Sequence, residues 1–437
     1  MGHGESIIPN PWMMLPFGLL LATIALGPLF FLHWWEKHYP KVAYVLGAIT
    51  LVYYFFGLHA NERIWHTAVE YVQFIALVGS LYVVSGGIHI NVKGEATPHN
   101  NVIFLLFGAV IANVLGTTGA SMLLIRPWIR MNKYRITAHH IVFFIFIVSN
   151  VGGCLTPIGD PPLFLGFLKG IPFWWVLEHC WPMWLVGIGT LLAMFYVVDL
   201  INYRKAPKEV REEIAEPPDQ WRFDGLINLV FLGIILGAVF IPKPLFLREA
   251  LMVGAALGSY FLTKKSIHEA NHFNFHPIQE VAILFIGIFS TMMPALDWLQ
   301  ANASAMEHTS PSIFYWGTGL LSGVLDNAPT YLSFLSAIIG KFATAEAMGI
   351  DPSAMTEQAQ ILHLIDTPEI MPYVVAISVA AVFFGANTYI GNGPNFMVKS
   401  IADQQKVHAP SFLGYVFKFT IPYMVPTVLI VWFIFFR

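Results

Sequence analysis

Ser149-Asn-Val-Gly-Gly-Cys-Leu-Thr-Pro-Ile-Gly-Asp-Pro-Pro162 lies inside an otherwise apolar run over 138–165. No helix continues through Gly152-Gly153 followed by Pro157, Pro161 and Pro162, because each proline removes a backbone donor and clashes with the preceding turn. A related stretch, Gly385-Ala-Asn-Thr-Tyr-Ile-Gly-Asn-Gly-Pro-Asn395, interrupts the run over 371–398. The two align on Ile158-Gly159 and Ile390-Gly391, with one residue of slip. Each is preceded by a second interrupted stretch. Asn113-Val-Leu-Gly-Thr-Thr-Gly119 breaks the run 101–125, and Leu325-Asp-Asn-Ala-Pro-Thr330 breaks 312–340. Unwound backbone at membrane depth persists only where it is buried in protein or lines a wet cavity. Two matched pairs of breaks therefore point to a binding site rather than to kinks.

Composition gives the setting. Of 437 residues, 56% are hydrophobic and 11% charged, against roughly 25% charged in soluble domains. That balance suits a lipid bilayer and excludes an ordinary soluble domain. A net charge of −3 does not point to nucleic acid, and two cysteines, Cys154 and Cys180, leave no disulfide framework. The N-terminus lacks the basic region of a secretory signal, so the first apolar run is expected to be retained as a span. A helix needs about 20 apolar residues to cross the hydrocarbon core. Spans are predicted near 12–32, 42–58, 67–87, 138–165, 172–199, 223–241, 245–262, 278–297, 371–398 and 410–436, with re-entrant hairpins at 101–125 and 312–340.

Basic residues orient this map. With both termini outside and both hairpins returning to the side they left, sixteen of the 23 lysines and arginines lie inside and six outside, with Lys418 within the last span. This is the asymmetry expected of inner-membrane loops. A full crossing at 101–125 would instead place Arg126, Arg130, Lys133 and Arg135 outside. The predicted fold is an all-α polytopic membrane protein built as an inverted repeat. Each half has three spans, a re-entrant hairpin and two spans, one of them broken. The first repeat is 1–200, the cytoplasmic linker 201–222 and the second repeat 223–437. Inverted repeats with interrupted helices in matching positions are a hallmark of secondary transporters.

Asp160 and Asp326 are the sharpest candidates, since an ionised Asp at the bilayer centre costs roughly 2.5–3.5 kcal/mol. They are predicted to hold a transported sodium ion or a proton; the alternative role is to cap a half-helix, which Asp does well. Around them an oxygen-rich shell is predicted from Asn113, Thr117, Thr118, Asn150, Thr156, Asn327, Thr330, Asn387, Thr388, Asn392 and Asn395, with Gly152, Gly153, Gly159 and Gly391 bringing backbone close to the ligand. Glu70, Asp199, Glu280 and Asp297 lie near span ends, and Lys418, deeper, is a candidate partner for a site carboxylate. No cofactor is expected beyond sodium and protons as transported or coupling ions. The expected partners are the bilayer and a small ion or carboxylate substrate.

These motifs resemble the ion transporter superfamily, in particular the NhaD-type sodium/proton antiporters and their citrate-transporter relatives. The resemblance covers nearly the whole chain and is most specific at Gly152-Gly-Cys-Leu-Thr-Pro-Ile-Gly-Asp-Pro-Pro162. Asp326-Asn327-Ala-Pro329 resembles the second-hairpin signature of the antiporter and arsenite-permease branches. Dicarboxylate carriers of the superfamily typically have Ser-Asn-Thr at both hairpins, where this chain has Gly116-Thr117-Thr118 and Asp326-Asn327-Ala328, and Asn where it has Leu163. The resemblance implies a homodimerising scaffold domain and a moving transport domain. The expected activity is sodium/proton antiport; the alternative is sodium- or proton-coupled symport of a citrate-like carboxylate. His268-Glu-Ala-Asn-His272 also fits H-E-x-x-H, which sets two imidazoles on one helix face for zinc. It sits in a predicted inner loop beside Asn271, Asn274 and Pro277, so an enzyme is not expected.

Overall fold

The computed structural model describes residues 8–91, 97–206, 222–241, 243–306, 308–344 and 355–437. Among these, seven helices are long and apolar enough to cross a membrane: Pro11–Pro28, Leu32–Gly57, Asn61–Gly86, Pro98–Met131, Phe173–Lys205, His276–Ala305 and Phe412–Phe435. The chain is a predominantly helical, multi-pass membrane protein. Its outward surface carries Trp12, Phe56, Phe261 and Phe433, all strongly exposed, which lipid solvates and water does not.

Two groups of helices pack around the breaks. In the first, Leu32–Val52 lies along His276–Asn302, and Asn61–Gly86 lies along Leu247–Leu262 and Asn228–Val239. Small residues set the close approach: a side chain at Gly287 would begin 3.0 Å from Ala43, and one at Gly47 would begin 3.3 Å from Ser290, the small-on-small packing common between membrane helices. The second group holds both hairpins, both broken helices, Phe173–Lys205 and the C-terminal helix.

Length alone would let Pro98–Met131 cross a bilayer, but it is folded in two. Gly116 sits at φ 74° and ψ 156° in its middle, a conformation that favours glycine. Asn101 and Asn132 exchange side-chain hydrogen bonds at 2.8 and 3.1 Å, whereas a straight helix would hold them about 46 Å apart. Midway along the arms, Gly108 approaches Leu124. The element is a helical hairpin with its tip at Gly116. The second hairpin is Pro311–Ser322 followed by Asn327–Phe342, with the rings of Phe314 and Phe334 5.8 Å apart across it.

The breaks fall where proline and glycine placed them. Ala138–Ile147 stops before Ser149, and helix resumes at Pro161–Lys169. Met371–Phe384 stops at Gly385 and resumes at Gly393–Gln404. Two expected spans are shorter than predicted. The run 223–241 gives only Asn228–Val239, 12 residues, and 245–262 gives Leu247–Leu262, 16 residues. The shortening has a cause: Arg222–Asp224 pairs as an antiparallel strand with His89–Asn91, which takes the start of the first run out of helix. Of the predicted linker, 207–221 lies outside the described residues; before it, Phe173–Lys205 continues as helix past 200.

Candidate functional site

The site is built where the four interrupted elements meet. Asp160 occupies the N-cap position of Pro161–Lys169, yet its carboxylate does not cap that helix. It points away, is 1% exposed, and is held by three donors from three other elements. Thr117 Oγ1 of the first hairpin tip donates to Asp160 Oδ1 at 2.6 Å. Asn392 Nδ2 of the second broken helix donates to the same oxygen at 2.9 Å. Asn327 Nδ2 of the second hairpin donates to Oδ2 at 2.6 Å. Among the described residues no cation is paired with Asp160.

The backbone around this carboxylate repeats in the two halves. Thr156 Oγ1 donates to the carbonyl of Asn113 in the first hairpin and accepts from the Gly159 N–H. Thr388 Oγ1 donates to the carbonyl of Gly323 in the second hairpin and accepts from the Gly391 N–H. Gly159 lies so close to Gly153 that an added Cβ would meet its carbonyl oxygen at 2.1 Å, and Gly391 meets that of Gly385 at 2.6 Å. Thr156 with Thr388, Gly159 with Gly391, and Asp160 with Asn392 thus occupy matching places at one constant spacing, without the slip expected from the sequence. One hydrogen bond locks tip to break: Thr117 N–H donates to Gly159 O at 2.7 Å.

Other predicted residues form a supporting lattice. Asn113 Nδ2 donates to Gly152 O, and its Oδ1 accepts from the Leu155 N–H. Asn150 Nδ2 donates to Asn395 Oδ1, while Asn150 Oδ1 accepts from Asn392. Asn395 in turn donates to the carbonyls of Gly385 and Thr388. Two amide oxygens, Asn327 Oδ1 and Asn387 Oδ1, are buried with no hydrogen-bond partner. A buried unsatisfied carbonyl costs about 1–3 kcal/mol, and it is the type of oxygen that ligates hard cations.

The two candidate carboxylates differ. Asp326 Oδ1 accepts from the Ala328 N–H at 3.0 Å and so caps its own helix. Thr330 Oγ1 bonds back to the Asp326 carbonyl. Asp326 is near enough to Asp160 for the two charges to repel. Thr118 is half-buried and stays outside the network. Lys418 is exposed and pairs with neither carboxylate, so the expected partnership does not form.

Sequence reasoning placed several charges at span ends and missed what they assemble. Asp199 is completely buried. Arg135 clasps both its oxygens, and Nε2 of His139 and of His140 approach Oδ1 at 3.2 and 3.1 Å. Asn101, at the base of the first hairpin, donates to Oδ2. On the other side, Lys169 bridges Glu70 at 2.9 Å and Glu357 at 3.2 Å, while Arg63 and Tyr54 hold Asp297. Removing one partner of a buried pair costs about 3–5 kcal/mol, a figure that applies to the fully buried Arg135–Asp199 pair at the hairpin base; the Lys169 cluster, with Glu357 partly exposed, ties the end of the broken helix less tightly. The run of Arg and His over 135–140 was the available signal.

The zinc-like motif is not assembled. Its helix ends at Ala270, so His268 and His272 do not share a helix face, and His272 has φ 47°. Asn271 accounts for the local order by donating to the carbonyls of Gly86 and Ile88, both at 2.8 Å.

Residues 6–436 match the model of a family described as "Putative citrate transport". The chain belongs to this family. No curated protein matches it. The match spans both hairpins and both breaks, so the site described above lies wholly within the citrate-transport family's domain. Membership makes the chain a secondary transporter, in accord with the resemblance to the ion transporter superfamily.

Proposed function

We propose that this chain exchanges sodium for protons across the inner membrane, with Asp160 as the group the two ligands share. The observation that carries the reading is a buried carboxylate that neglects its own helix terminus and is contacted by both hairpins and the second broken helix. A carboxylate binds a proton or a cation but not both, so competition at Asp160 yields exchange without further machinery. The shell can serve both states. Turning the amides of Asn327 and Asn392 by half a revolution replaces donors with oxygens, and an unpartnered Asn327 Oδ1 is already present. Asp326 is assigned the cap.

A second reading is cation-coupled uptake of a carboxylate, favoured by the family description. Proteoliposomes separate the two: antiport produces a pH change on adding sodium or lithium without citrate, whereas symport requires citrate. If neither sodium, lithium nor potassium moves protons in citrate-free vesicles, the antiport reading fails.

The inverted arrangement, with both termini outside, belongs to the same proposal. It is supported by the buried charge clusters, since Asn101, Arg135, His139 and Asp199 meet at ends mapped inside, and Arg63, Glu70, Lys169, Asp297 and Glu357 at ends mapped outside. Single cysteines at Lys133 and His308 are expected to react with an impermeant maleimide from opposite sides, the first from the cytoplasm. Labelling of both from one side would discard the map. Glu307 and Lys208, natural choices from the sequence, lie outside the described residues.

A further inference from the structure

The second half of the first broken helix has an ionisable residue at each end. Asp160 stands at its start and Lys169 at its finish, about 14 Å apart along the axis. Lys169 is buried, and its ammonium reaches two acids that belong to different groups of helices. Glu70, at 2.9 Å, lies on Asn61–Gly86 in the first group. Glu357, at 3.2 Å, opens Glu357–Asp366, which packs on the first broken helix, the second hairpin and the second broken helix and so belongs with the second group. Gln358 seats that short helix on the turn after Lys169: Gly170 there has φ 120°, and an added Cβ would lie 2.7 Å from the Gln358 side chain. One ammonium thus holds one pair inside its own group and one across the boundary.

Further along Asn61–Gly86 the boundary is apolar or made of small residues. The rings of Phe74 and Phe164 lie 6.5 Å apart. Beyond them Gly116 approaches the Leu81 side chain, and Gly119 approaches Ser85. Apolar contact is non-directional and does not single out one position, whereas a charge-assisted hydrogen bond has a defined geometry. The charges are also placed so that the crossing pair can part. Glu70 lies two turns from Arg63 on the same helix, within its electrostatic range, and Lys169 keeps Glu357. Each charge is left with an opposite one on its own side, which avoids the uncompensated charge that makes a buried pair hard to break. A permanent staple needs no such provision.

We propose that the Lys169–Glu70 pair is a latch between the two groups, which holds the closed arrangement of this structure and parts when the first broken helix shifts to open the Asp160 shell. Asp160 is buried, so a ligand reaches it only through such a shift. The latch and the carboxylate sit at opposite ends of one short helix, and movement at Lys169 is carried to Asp160 directly. The proposal concerns opening of the shell and does not depend on which ligand Asp160 takes.

Thiol reactivity of the purified full chain in neutral detergent tests it, since it reads opening rather than flux. Cys154 is completely buried in the first break, six residues before Asp160, and in a Cys180→Ala parent it is the sole thiol. Its modification by a small methanethiosulfonate is expected to be slow in this parent and at least about tenfold faster in Glu70→Gln, as the open population rises. Glu357→Gln removes the other acid of Lys169 but leaves the crossing pair, and is expected to stay close to the parent rate. A general loss of stability would accelerate both variants alike, so equal acceleration in the two overturns the proposal, as does an unchanged rate in Glu70→Gln. If Glu70→Gln does not fold, Glu70→Asp takes its place: one methylene shorter, it stretches the pair, and a rate equal to the parent's again overturns the proposal.

Discussion

Asp160→Asn is expected to abolish the proposed sodium-driven proton movement, and Asp326→Asn to keep it within a few-fold of wild type. Both substitutions nearly preserve shape and delete a titrating charge, so the contrast isolates chemistry from packing. Asn caps a helix about as well as Asp, and capping Ala328 is the observed work of Asp326. Asp160 caps nothing; its two oxygens collect Thr117, Asn392 and Asn327. In Asp160→Asn one of those oxygens becomes an NH₂ facing donors, and the shell of Thr117, Asn327 and Asn392 is left without a carboxylate to exchange a proton for a cation. The measurement is quenching of a pH-sensitive dye in proteoliposomes on adding sodium. In wild type, raising the proton concentration is also expected to raise the apparent sodium Kd. Robust exchange by Asp160→Asn would remove the central carboxylate from the mechanism and turn attention to Asp326.

Gly159→Ala is the other variant with a large expected effect. A single methyl there would lie 2.1 Å from Gly153 O and 3.1 Å from Asn113 Oδ1. Neither can yield: Gly153 O belongs to the unwound backbone, and Asn113 is fixed on Gly152 O and the Leu155 N–H. Relieving the clash must move Gly159, whose carbonyl accepts from the Thr117 N–H, and with it Asp160. Transport is expected to fall by two orders of magnitude or more, in line with the roughly 10²-fold loss that follows a 1 Å misplacement. Membrane insertion should survive, because the spans themselves are untouched. Gly189→Ala is the control, since nothing lies within 4 Å of an added Cβ there. Equal activity of Gly159→Ala and this control would mean the break does not shape the site.

The sequence made the breaks legible because Gly and Pro act locally. Gly152-Gly153, Pro161-Pro162 and Gly393-Pro394 stop and restart helices through their own backbone geometry, and the helices resume at Pro161 and Gly393. The fold-back at Gly116 was also readable, from the basic cluster after it. Which carboxylate caps and which does not was hidden, because Asp160 and Asp326 both stand just before a half-helix, and only side-chain direction separates them. Asp199 looked like a span end because its partners, Asn101 and Arg135, lie 98 and 64 residues away.

The Asn101–Asn132 contact closes within one short stretch of chain, but the Asp160 shell does not. Thr117 precedes Asp160, whereas Asn327 and Asn392 come 167 and 232 residues later. At synthesis rates of about 5–20 residues per second, the first hairpin can form while Asp160 waits roughly 10–30 s for its next partner. During biogenesis the first half must therefore harbour an incompletely satisfied acid in or beside the lipid. The arrival of Asn327 shortens the deficit, and only Asn392, 65 residues further on, completes the shell.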